Sequence, residues 1–224
     1  MRSESKKKLI VIEGLDGSGK ATQTQLLYSS LKDMSMKIKK VSFPDYDSAS
    51  SALVKMYLDG EFGKQPDDVN AYAASSFYAV DRYASYKRDW EIDYEKGIII
   101  ADRYTTSNAI HQCSKLEAEE WDNYLEWLFE FEYEKLGIPR PDIVIYLKVD
   151  VEVSQELMNQ RYQGDEDKKD IHENNLEYLK KSREAAEYCS QKLGWKIIEC
   201  CEDGEMKSID SVHKEILKVI IENK

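Results

Sequence analysis

The chain has 224 residues, 42% hydrophobic and 33% charged, which suits one α/β domain with an ample core. A formal net charge of -11 argues against a nucleic-acid partner or an anionic membrane surface, because both reward positive charge. No apolar run approaches a membrane span, residues 1–8 carry no signal-type apolar stretch, and the four cysteines show no paired spacing, so a cytoplasmic location is expected.

The first apolar run predicts a strand over 8–13, which breaks into Gly14-x4-Gly19-Lys20 ahead of a helix over 20–34. This spacing is that of a loop that wraps nucleotide phosphates. Its glycines let backbone N–H groups turn inward around the β-phosphate, its lysine reaches the β/γ oxygens, and the following helix aims its positive end at the anion. Gly14, Leu15, Asp16, Gly17, Ser18, Gly19, Lys20, Ala21 and Thr22 are thus the expected ATP-binding residues. Ala21 stands where such loops carry the hydroxyl that holds Mg2+. Thr22 lies about 100° further round the helix and does not replace it by default. The metal needs other support.

Strands follow over 38–43 and 97–102, with helices over 50–59 and 68–88 between them. The second of these strands ends in Asp102 and Arg103. Carboxylates at strand ends face the ligand crevice of open α/β sheets, so Asp102 is the expected metal anchor, directly or through water. Arg103 supplies a planar fork of donors suited to phosphate oxygens. Further on, the pattern predicts a helix over 117–136, a strand over 143–148, helices over 152–163 and 173–193, a strand over 195–200 and a helix over 208–221. The polar interval 163–173 reads as a lid, or as a plain solvated connection. Arg161, Lys168 and Lys169 favour the lid, since phosphoryl transfer places cations around the moving group, while Asp165, Glu166 and Asp167 oppose it.

Strands alternating with amphipathic helices, without repeats or a Pro/Gly-rich divide, predict a single domain over residues 1–224. Its fold class is α/β of the P-loop NTPase type, in three layers, with a central parallel sheet of about five strands flanked by helices and a small lid.

Several separated motifs together resemble the thymidylate kinase family: Glu13-Gly-Leu-Asp-Gly-Ser-Gly-Lys-Ala-Thr-Gln23, Tyr78-Ala-Val-Asp-Arg82, Asp102-Arg-Tyr-x-x-Ser107, Pro141-Asp-Ile-Val-Ile-Tyr-Leu-Lys-Val-Asp150, and Asp170-x-x-Glu173 with Arg183. The likeness spans residues 9 to about 200. It implies Mg2+-dependent transfer of the ATP γ-phosphoryl group to dTMP, with ATP and dTMP as small-molecule partners and a homodimer as the assembly. It further implies an acceptor site in which Tyr78 stacks on the base, Arg82 bonds its carbonyl edge, and Ser107 and Gln112 line the pocket. Asp16 would take the sugar hydroxyl, Arg103 the acceptor phosphate, and Phe43 with Pro44 the wall.

This chain departs from that pattern at several points. The segment from Ser42 to Tyr46 carries no arginine, where relatives often place one for the acceptor phosphate. His111 stands where many bacterial relatives have a tyrosine against the sugar. Gly17 leaves no arginine inside the loop, so Arg161, Lys168 and Lys169 are the expected catalytic cations from the lid, beside Lys20, Asp102 and Arg103. Two alternatives stay open: a kinase of another nucleoside monophosphate or of a deoxynucleoside, and a nucleotide-binding switch.

Overall fold

The computed structural model describes residues 7–34, 36–162 and 176–223. Five strands, β1 (Lys8–Gly14), β2 (Ile38–Ser42), β3 (Ile98–Asp102), β4 (Ile143–Lys148) and β5 (Lys196–Glu199), pair in parallel in the order β2-β3-β1-β4-β5. Alternation along β1 shows why both faces must be covered. Leu9 and Val11 enter one buried cluster, Ile10 and Ile12 the other, because successive side chains leave opposite faces. Helices α3 (Ala71–Ser85), α5 (Thr105–Cys113), α6 (Trp121–Phe129) and α8 (Leu176–Lys192) lie over the first face. The second is covered by α1 (Lys20–Asp33) and α9 (Ile209–Glu222). This is the three-layer P-loop NTPase arrangement expected from the sequence.

Strand positions agree with expectation to within a residue, whereas several helices do not. The helix expected over 50–59 begins as a 3-10 turn, Ala49–Ser51, and continues as α2 (Ala52–Leu58). In place of one helix over 68–88 there is a 3-10 turn, Pro66–Asp68, and then α3, started by the Asn70 side chain, which accepts from the Ala73 N–H at 2.9 Å. The chain continues through a π turn, Tyr86–Trp90, into the short α4 (Glu91–Tyr94), and Trp90 is 1% exposed. The helix expected over 117–136 starts as a 3-10 turn, Ala118–Glu120, and α6 passes into a π turn, Glu130–Lys135, which puts Glu132 and Tyr133 inward while Glu130 and Glu134 stay in solvent. Helix α5 was not expected at all. Its first turn is Thr105-Thr106-Ser107-Asn108, residues of weak helix propensity that tertiary contacts hold in place. A small antiparallel pair, β6 (Cys201–Glu202) with β7 (Glu205–Met206), also went unanticipated.

Helix α7 (Val151–Tyr162) ends at the segment expected to be a lid. That segment, with Lys168 and Lys169, lies outside the described residues, as does the side chain of Arg161. No described helix is long and apolar enough to cross a membrane.

Candidate active site

The parallel register sets the carboxyl ends of three strands level: Ile12 lies beside Asp102, and Asp102 beside Ser42. Everything that follows these ends therefore opens on one crevice, as in other open α/β sheets. The crevice holds about 800 Å3 and runs from the phosphate loop past Phe43, Tyr78 and Gln112 on one side to Met206, Lys207 and Ile209 on the other.

The loop is built by close approach. A Cβ on Gly14 would meet the backbone oxygen of Leu147 at 2.9 Å and Ser18 Oγ at 2.5 Å, so only glycine lets the loop lie against β4. Gly19 caps α1 in the left-handed region at φ 81°. Lys20 is 8% exposed, and its Nζ donates to the Leu15 carbonyl at 2.8 Å, with Asp16 3.9 Å away. Burial, and then the guanidinium of Arg103, push the Lys20 pKa down to about 8, against the pull of Asp16, Asp102 and Glu13. The lysine is a desolvated cation held across its own loop. Ala21 and Thr22 are both exposed and both border the crevice.

Arg103 follows Asp102 with a positive φ of 65°, uncommon for a non-glycine residue, which turns its side chain back over the loop. Its NH2 donates to Asp16. Its NH1 donates to Ser107 Oγ and His111 Nε2, both at 3.3 Å, and lies 3.7 Å from Glu13. Although burial opposes its charge, Asp16, Glu13 and Asp102 together raise its pKa further. Asp102 itself is partly exposed, its backbone oxygen accepts from Phe43 N–H at 3.0 Å, and its carboxylate enters no ion pair among the described residues.

The wall of the crevice beyond the loop is made by α3 and α5. Tyr78 and Arg82 descend from α3 and Asn108, His111 and Gln112 from α5, while Phe43 stacks obliquely on Tyr104 with ring centres 5.9 Å apart. Tyr78 is half-buried, with its ring edge-on to Tyr57 at 6.4 Å. Gln112 is 1% exposed and borders the crevice, and neither its Nε2 nor its Oε1 has a hydrogen-bond partner among the described residues. Unpaired buried amides are costly, at about 1–3 kcal/mol per group, so this amide is suited to bond a molecule that enters the crevice.

His111, expected in the acceptor site by the resemblance, borders the crevice but is largely buried. It is stacked on Tyr178 of α8, whose hydroxyl donates to the His111 carbonyl at 3.0 Å and lies 3.3 Å from Nδ1. Since Arg103 can only donate, Nε2 accepts and the ring proton sits on Nδ1. Burial, followed by the Arg103 charge, lowers the His111 pKa to about 3.

Three contributors were missed from the sequence. Glu13 is fully buried at the end of β1 and accepts from Thr106 Oγ1 at 2.8 Å and Ser107 Oγ at 2.8 Å, tying the first turn of α5 to the loop. Its signal was the one used for Asp102, a carboxylate closing an apolar strand. Asn108 and Glu132 carried no such signal.

The loop, the strand-end Asp-Arg pair and the wall of α3 and α5 all line one crevice. A family model described as thymidylate kinase matches residues 12–216. The chain belongs to the thymidylate kinase family. It is accordingly a nucleotide-binding phosphotransferase of the nucleoside monophosphate kinase type. The thymidylate kinase of Mycobacterium tuberculosis is 30% identical over 158 residues, covering 70% of this chain and 73% of that one. The thymidylate kinase of Schizosaccharomyces pombe is 32% identical over 155 residues, covering 69% and 67%. Among solved structures, the thymidylate kinase of Candida albicans superposes with a TM-score of 0.71 at 22% identity, covering 99% of this chain and 94% of that one. That of Ehrlichia chaffeensis gives 0.66 at 19% identity, covering 96% and 98%; at such identities the likeness speaks to the fold.

Proposed function

We propose that the protein transfers the γ-phosphoryl group of ATP to dTMP, giving dTDP and ADP, with Mg2+ on the ATP phosphates. The observation that carries this reading is the pairless amide of Gln112 in the crevice wall, across from the cleft-lining Arg82. An amide sets an NH2 donor beside a C=O acceptor, the complement of the adjacent C=O and N–H on a thymine edge, and a guanidinium adds donors for a further carbonyl.

An oxygen of the dTMP phosphate attacks the γ-phosphorus in line, the bond from that phosphorus to the β–γ bridging oxygen breaks, and ADP leaves. An ionised phosphate needs no general base, so the protein acts by positioning and by charge. Lys20 neutralises the β/γ oxygens. Arg103, steadied by Asp16 and His111, holds the acceptor phosphate in the absence of an arginine between Ser42 and Tyr46. The partly exposed carboxylate of Asp102 would hold Mg2+, and the ion would supply positive charge to the phosphates during transfer. Arg161, Lys168 and Lys169 supply the remaining cations of this reading from the sequence. A homodimer through α3 accords with the half-exposed Tyr72, Val80 and Tyr83 on its outer side, and a cytoplasmic location with its free cysteines.

The test is coupled ADP release from Mg2+-ATP against the monophosphates of thymidine, deoxyuridine, deoxycytidine, deoxyguanosine and deoxyadenosine, with thymidine and water as controls. Release dependent on dTMP is expected. Equal hydrolysis with and without any acceptor would remove the kinase reading, and preference for thymidine would make the protein a nucleoside kinase.

A further inference from the structure

Helices α3 and α5 each contribute one group to the base edge, Arg82 and Gln112, so something must fix the distance between them. At the junction of these helices lies Glu132, from the π turn that follows α6, with 0% exposure. It accepts from Arg82 Nε at 2.7 Å and from Arg82 NH2, from Thr105 Oγ1 at 2.9 Å and from Asn108 Nδ2 at 3.3 Å. One carboxylate thus receives four donors from two helices. Asn108 closes the arrangement by donating also to the Ser75 carbonyl of α3 at 3.2 Å.

The bidentate grip decides which part of Arg82 is left over. A guanidinium has five N–H groups in a rigid fork, and Glu132 takes the Nε edge. The remaining nitrogen, NH1, makes no hydrogen bond among the described residues, on a side chain that borders the crevice. Held in this way, Arg82 can only donate toward the base. A carbonyl is welcome there, and an exocyclic amino group meets donor against donor.

We infer that Glu132 is a positioning residue for base recognition: by fixing Arg82 and tying it to α5, it makes the acceptor site select a pyrimidine with a carbonyl, rather than an amino group, opposite Arg82. This rests on the dTMP reading above. A buried pair is strongly destabilised when one partner is removed, since a charge is left behind, whereas replacing both partners avoids that penalty. The test therefore uses a double-mutant cycle.

Glu132→Gln, Arg82→Gln and the double variant are assayed for kcat and KM with dTMP and ATP and for the dTMP over dCMP preference, with melting temperature alongside. Glu132→Gln should raise the dTMP KM tenfold or more and reduce the dTMP over dCMP preference about tenfold, leaving the ATP KM within twofold. Glu132→Asp, which keeps the charge on a shorter arm, should recover part of both. In the Arg82→Gln background the second substitution should change neither quantity; where either single variant fails to fold because it leaves a buried charge unpaired, Glu132→Asp, which keeps the ion pair, carries the test, and unchanged dTMP over dCMP preference in a folded Glu132→Asp protein counts against the inference. Wild-type selectivity in Glu132→Gln, additive effects in the cycle, or a rise in both KM values that tracks melting temperature would overturn the inference. If the wild-type protein itself leaves dTMP untouched, the dTMP reading falls and takes the inference with it; if it turns dTMP over while Glu132→Gln is unaltered, only the inference falls.

Discussion

Replacing Lys20 by methionine should abolish most transfer while making the unliganded protein more stable. In the folded state the Lys20 pKa lies at about 8 against an ordinary 10.5, chiefly through burial and secondarily through Arg103. At about 1.4 kcal/mol per pH unit, keeping this ammonium charged in its loop costs on the order of 3–4 kcal/mol. Methionine removes the charge and keeps the stem, but it also removes the 2.8 Å bond to the Leu15 carbonyl. A charged hydrogen bond contributes about 1.5–3 kcal/mol, which leaves a net gain of about 0.5–2 kcal/mol. For a chain of this size that is a Tm rise of roughly 1–8 °C. Between pH 8 and 10.5 the unfolded lysine holds more proton than the folded one, so wild-type stability rises with pH there and the advantage of Lys20→Met shrinks. Thermal or urea unfolding at pH 7 and at pH 10, without nucleotide, reads both quantities, and the coupled ADP assay reads transfer, expected to fall at least about a hundredfold for a lost phosphate cation. A variant that is less stable than wild type at pH 7, or that turns over normally, refutes the argument.

Because Asp102 is the open carboxylate beside the loop, Asp102→Asn should raise the Mg2+ concentration for half-maximal rate severalfold at saturating substrates; an unchanged titration assigns the metal to other groups. Tyr78→Ala should raise the dTMP KM about tenfold or more, on the scale of a lost base–aromatic stack, with the ATP KM little altered. Equal changes in both would make Tyr78 a packing residue. The folded His111 pKa of about 3 sits below the ordinary 6.5, so the unfolded chain gains a proton first as pH falls. Its neutral contribution is therefore fully present above pH 6.5 and is lost toward pH 3, at about 1.4 kcal/mol per unit. His111→Gln should flatten that part of the stability profile in urea unfolding from pH 7 to 4, and parallel profiles would count against a buried neutral imidazole.

Local signals were sufficient for the sheet and the loop. Apolar runs with carboxyl ends carry their own evidence, so β1 and β3, the glycines and the Asp102-Arg103 pair were legible in the sequence alone. What stayed hidden depends on partners distant along the chain. Arg82 was expected at the base edge, but its buried partner Glu132, 50 positions away, gave no sign in the sequence. Glu132 itself sits in the run Glu130-Phe-Glu-Tyr-Glu-Lys, where the charges suggest an exposed face, and only the π turn distinguishes which glutamate is buried. Helix α5 has weak intrinsic propensity and is held by Glu13 from below, so its pattern gave no notice. The burial of His111 was hidden for the same reason, because Tyr178 reaches it from 67 positions downstream.

The level strand ends also divide the molecule into a working side and a handling side. Segments that precede the strands, such as Glu95–Gly97 before β3 and Leu193–Trp195 before β5, lie at the opposite edge of the sheet from the crevice. Each residue of strand adds about 3.3 Å of separation. A tag, fluorophore or tether placed on the exposed Glu95 or Lys96 is kept from the substrates by the length of the strands themselves, so immobilised or labelled protein should retain its turnover without any redesign of the crevice.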